Sequence, residues 1–71
     1  MGNWGKRISL VHEGTTLVGI IYKHDDGFNC AAQQIGDDRL DAFAMFTTLA
    51  ECKAYCTKRM GNVTFKDRTR S

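Results

Sequence analysis

Three cysteines, two histidines and two adjacent carboxylate pairs are the residues of this 71-residue chain whose types could do chemistry. Cys52 and Cys56 stand four apart, so a helix would place them on one face, while Cys30 lies in a strand-like stretch. With His12 or His24 they invite a zinc reading. Structural zinc, however, takes closely spaced pairs such as C-x2-C on turns, where the loop lets both thiolates reach one ion. Leu49, Cys52, Cys56 and Met60 instead fall at core-stripe spacing, and free cysteine packs as a small apolar residue. A nucleophilic Cys–His pair would need the thiol lifted out of that stripe and an imidazole within hydrogen-bond reach, which no spacing here provides. Asp25-Asp26 and Asp37-Asp38 each adjoin a glycine, the setting in which aspartate serves turns, and neither shows the alternating ligands of a calcium loop. No G-x-x-x-x-G-K-[ST], G-x-S-x-G or H-E-x-x-H occurs. The expectation is therefore a protein that is not an enzyme, with no cofactor, no metal and no catalytic residue.

The cations offer a second chemistry. Lys6 and Arg7 lie near the start, and Lys58, Arg59, Lys66, Arg68 and Arg70 lie near the end. Between them, residues 13–57 hold Lys23, Arg39 and Lys53 against seven carboxylates, so an acidic middle separates two basic ends. Lys6, Arg7, Lys58, Arg59, Lys66, Arg68 and Arg70 could neutralise phosphates, and Trp4 could stack on a base. A net charge of +2 is too small to impose that reading, and a solvated, frayed terminus explains the same residues. In a meander the first and third turns share one end of the sheet. Glu13, Asp37 and Asp38 would therefore gather where a C-terminal helix ends with Lys58 and Arg59, and this mixing of charge argues against a phosphate mimic.

These residues need elements to position them. Lys6 to Glu13 alternates with period two and reads as a strand, with Ile8, Leu10 and His12 on one face and Ser9 and Val11 on the other. Glu13-Gly14-Thr15 turns the chain into a β-branched second strand, Thr16 to Lys23, and Asp25-Asp26-Gly27 closes a hairpin onto a third, Phe28 to Gln34. Residues 40–60 admit two readings. One is a fourth strand from Leu40 to Phe46, then a helix from Leu49 to Met60 with a Thr48/Glu51 capping box and Gly61 as its stop. The other is a single helix from Asp38 to Met60, which would waste that cap and bury Thr47-Thr48 in mid-helix. Val63 to Lys66 is a candidate for a short last strand, and Asp67 to Ser71 has no apolar anchor. The fold class is α+β: a small antiparallel sheet of three to four strands with one C-terminal helix on one face. One domain spans residues 1–71, with 6–60 as its compact part.

Apolar residues occupy both faces of that sheet. Strict alternation places Val18, Ile20 and Tyr22 on one face of the second strand, and Leu17 and Ile21 on the other. A 12-residue helix covers one face only, so Leu17 and Ile21, with Trp4, become the candidate protein-binding residues. A larger protein or nucleoprotein complex is the expected partner. A second copy of the chain is another candidate, and nucleic acid is the alternative. No run is long enough to span a membrane. Met1 to Lys6 has no apolar signal core and the cysteine count is odd, which points to free thiols in a reducing cytoplasm.

The order Asp26-Gly27-Phe28, a turn, then Phe46-Thr47-Thr48-Leu49-Ala50-Glu51-Cys52 resembles that of small phage and mobile-element proteins in which strands feed a capped helix. The likeness is one of layout over residues 8–60 and carries over no functional residue. It implies a stand-alone inhibitor of host machinery, of the kind represented by anti-CRISPR proteins, acting in the cytoplasm of a bacterial host.

Overall fold

The structure, a computed structural model, describes residues 5–67. Strands β1 (Lys6–Glu13), β2 (Thr16–His24) and β3 (Gly27–Ala32) are followed by a long loop, helix α1 (Leu49–Met60) and strand β4 (Thr64–Asp67). The sheet is antiparallel throughout, in the order β3-β2-β1-β4. The first three strands form the expected meander. The last strand lies beside the first, because α1 carries the chain back across one face of the sheet.

Local chemistry fixes several of these boundaries. Gly27 adopts φ +148, and a Cβ there would lie 2.3 Å from the Phe46 carbonyl oxygen, so only glycine lets the hairpin end beneath the returning loop. Helix α1 starts at a complete capping box. Thr48 accepts a hydrogen bond from the Glu51 N–H, and the Glu51 carboxylate accepts from the Thr47 and Thr48 N–H groups. Removing such a cap costs about 0.5–2 kcal/mol. At the other end Gly61 takes φ +90 and donates its N–H to the Thr57 carbonyl.

Two bulges determine what each sheet face presents. Arg7 pairs with Tyr22 and Ser9 with Ile21, leaving Ile8 as an extra residue. Val11 pairs with Gly19 and His12 with Leu17, leaving Val18 as another. The rows facing α1 are therefore Phe65–Val11–Gly19–Ala32 and Asp67–Ser9–Ile21–Cys30. Ile8 and Val18 turn toward the same side and pack with Val11, Ile21, Cys30, Leu40, Cys52, Cys56 and Met60. Gly19 makes room there, since a Cβ would meet a Leu40 methyl at 3.1 Å.

Strict alternation thus misplaces three residues of β2. Ile21, expected on the uncovered face, is fully buried under the helix beside Val18, and Ile20 and Tyr22, expected beneath the helix, lie on the uncovered face, because the bulge at Val18 shifts the parity of β2 by one residue. Leu17 shares its face with Ile20 and Tyr22. Residues 40–46 form neither the expected fourth strand nor part of a long helix; only Phe46 pairs, with Phe28. Asp67, expected in an unanchored tail, closes β4: it accepts a hydrogen bond from the Ser9 hydroxyl at 2.9 Å and meets Lys53 of α1 at 3.1 Å.

Two substitutions separate the faces. Ile21→Lys puts an unpaired charge into the core and should abolish the cooperative melt followed by far-UV circular dichroism. Leu17→Lys should keep it. Ile21→Ala should cost about 2–5 kcal/mol, a large share of the stability of so small a domain.

Candidate functional site

The sheet face opposite α1 has no element over it among the described residues. Its cross-strand rows are Lys66–Leu10–Ile20–Ala31, Arg7–Tyr22–Asn29 and Thr64–His12–Leu17. Leu10, Leu17, Ile20 and Tyr22 are half-buried by their neighbours on this face and lie outside the core cluster. Arg7 and Lys66 form a basic rim to this apolar patch, and both are exposed.

The second surface is the loop between β3 and α1, which is fastened at both ends. Near its start, Arg39 grips the Asp37 carboxylate with Nη2 at 2.8 Å and with Nε and the backbone N–H at 3.1 Å, and it reaches Glu13 at 3.7 Å. Arg59 Nε donates to the Arg39 carbonyl at 2.8 Å. The charges of the first turn, the post-β3 turn and the helix end therefore meet at one end of the sheet, as the meander required. Leu40 then enters the core.

Beyond Leu40 the backbone groups that would make a strand are taken elsewhere. The Asp41 N–H donates to the Tyr55 hydroxyl at 2.7 Å, the Phe43 N–H to Asp41 Oδ1 at 2.9 Å and the Ala44 N–H to the Asp41 carbonyl at 3.0 Å. The Ala42 carbonyl accepts from the side-chain amide of buried Asn29 at 2.6 Å, and Asn29 Oδ1 pairs with His24 Nε2 at 2.7 Å. An aspartate-led turn results, and it throws Phe43 outward: the side chain is 90% exposed. Ile35 is also fully exposed, and Met45 is partly so. A groove of about 380 Å³ lies between this loop and the sheet, lined by Tyr22, Ala31, Leu40 and Ala42 among others. A second, of about 520 Å³, lies between the loop and α1, walled by Met45, Phe46, Ala54, Tyr55 and Lys58. Alternation alone could not find Phe43, because the turn depends on partners far away in sequence.

Cys30, Cys52 and Cys56 are all fully buried free thiols. The Cys52 thiol is raised by its hydrogen bond to Cys56 and by burial. The Cys56 thiol is pushed up to about 12, first by its hydrogen bond to Cys30, with burial adding and the bond from Cys52 opposing. Such thiols stay protonated and are poor nucleophiles at neutral pH. Among the described residues, no three of the His, Cys, Asp and Glu side chains are placed to hold a metal ion.

The candidate cations do not converge. Arg7 and Lys66 border the uncovered face, while Lys58 and Arg59 stand on the last turn of α1 across the sheet, with Arg59 spent on the Arg39 carbonyl. Lys6 pairs with Lys23 at the far end of β1. Trp4, Arg68 and Arg70 lie outside the described residues. Of the candidate protein-binding residues, Leu17 lies on the uncovered face, and Ile21 is excluded from any surface by its burial. No helix among the described residues is long and apolar enough to cross a membrane. No protein-family model, curated protein or solved structure matches the chain.

Two measurements probe these local environments. Thiol labelling of the native protein should be slow for all three cysteines and complete after unfolding; one thiol reacting at the rate of a free cysteine would contradict their burial. Asp37, held by Arg39, is lowered from 3.8 to about 2. Because the folded value is the lower one, its contribution to the turn is complete above about pH 4 and is lost as pH falls through 2. Carboxyl NMR titration should show that low midpoint, and Arg39→Gln should return it to near 3.8.

Proposed function

We propose that the chain is a non-enzymatic binding protein that docks on a larger protein or nucleoprotein complex through its uncovered sheet face and inhibits it. The observation that carries this reading is the patch of Leu10, Leu17 and Ile20 on the side opposite the only helix among the described residues. Full burial of an apolar side chain of this size is worth about 1.5–3 kcal/mol, so covering several of them supplies an affinity that the free protein leaves unused. The basic rim of Arg7 and Lys66 suits a partner whose surface is acidic or carries phosphates. Buried, protonated thiols and solvent-open grooves support binding rather than turnover. The resemblance in layout to small phage inhibitors, anti-CRISPR proteins among them, makes a bacterial defence complex the target of choice and the bacterial cytoplasm the place of action. The direct nucleic-acid alternative is weakened by the scatter of the cations over two sides of the molecule.

Affinity capture from a bacterial lysate followed by mass spectrometry tests the reading. The wild-type chain should retain one stoichiometric partner, and Ile20→Asp should lose it with an unchanged circular dichroism spectrum. Retention of the same partner by Ile20→Asp, or capture of nucleic acid alone with steep salt dependence, would remove the sheet face as the docking surface.

A further inference from the structure

We infer that the loop–helix side of the molecule is a two-fold interface at which each chain seats its Phe43 in the groove of a second copy. The groove between the loop and α1 is walled by Met45, Phe46, Ala54 and Tyr55, with the Phe46 and Tyr55 rings 5.0 Å apart. At about 520 Å³ it is roomy enough for an aromatic ring, and its aromatic and thioether walls are the chemistry that such a ring packs on. Phe43 lies two residues before Met45 of the groove wall, yet it is not among the residues that line the groove and is 90% exposed. The Asp41 carboxylate and carbonyl hold the N–H groups of Phe43 and Ala44, and the turn they close points the ring into solvent. The occupant must come from another molecule, and an identical chain carries a ring of the right size.

Charge favours the same exchange. Lys58 at the groove wall makes no hydrogen bond or ion pair among the described residues. Asp41, two residues before Phe43, is exposed and accepts only the Phe43 N–H at its carboxylate. Seating Phe43 in a partner's groove brings Asp41 toward the partner's lysine, and two-fold symmetry repeats the contact. A knob and a groove on adjoining surfaces of one chain meet the self-complementarity that such an interface requires. Because the loop is already tied by its hydrogen bonds, little ordering cost remains to be met on association.

Sedimentation velocity of the full chain across micromolar to millimolar concentrations tests the proposal. The mass should rise with concentration from 8.0 kDa toward twice that value. Phe43→Asp should stay at 8.0 kDa with an unchanged circular dichroism spectrum, since the ring it replaces is 90% exposed. Lys58→Glu should raise the dissociation constant by about tenfold or more. Ile20→Asp should still dimerise, which separates this interface from the proposed docking face. A wild-type mass of 8.0 kDa throughout, a dimer that survives Phe43→Asp, or one that is lost in Ile20→Asp would each overturn the inference.

Discussion

One 12-residue helix against a four-stranded sheet is the constraint on which the rest of this structure depends. The helix buries Cys52, Cys56 and Met60 on one side of the sheet, and the core forms there, around Val11, Ile21 and Cys30. No other helix or strand among the described residues lies over the opposite side, where the loop before α1 reaches only the β3 edge at Asn29. The sequence nevertheless puts Leu10, Leu17, Ile20 and Tyr22 there, where a monomeric surface would ordinarily carry polar side chains. The core is made of small and medium residues, three of them thiols, while the larger aromatic rings stay at the periphery. Phe28, Phe46, Tyr55 and Phe65 are only partly buried around its edge.

The bulges at Ile8 and Val18 are the second determinant. Each adds one residue to its strand, and each turns an extra aliphatic side chain toward the helix without lengthening the sheet. They enlarge a core that would otherwise be thin for so short a chain. They also bring Leu17 onto the uncovered face beside Ile20 and Tyr22, so the same device that fills the core gathers the patch on the other side.

The loop before the helix shows how polar groups can shape an apolar surface. Asn29, nearly fully buried, spends its amide on the Ala42 carbonyl, and Tyr55 spends its hydroxyl on the Asp41 N–H. Those two contacts occupy backbone groups of Asp41 and Ala42 that a strand beside β3 would have used. The ladder closes only at Phe46, where a pair of 2.8 Å backbone bonds to Phe28 aligns the chain for the capped helix start. Phe43 is exposed because these polar contacts are satisfied, not because the segment lacks structure.

What the sequence determined by itself is what neighbours within a few residues can enforce. The limits of α1 were legible because Thr48, Glu51 and Gly61 act within one helical turn, and the second hairpin was legible because Asp25-Asp26-Gly27 carries its own turn chemistry. Burial of Cys52 and Cys56 followed from their spacing along the same helix. The placement of β4 beside β1, the faces occupied by Ile20, Ile21 and Tyr22 and the projection of Phe43 were decided only by the tertiary structure. Each depends on partners distant in the chain: Ser9 and Lys53 for Asp67, the β1 register for β2, and Asn29 and Tyr55 for the loop. A single bulge reverses the face of every residue beyond it, so a period-two pattern fixes which residues alternate but not which of them meet the helix.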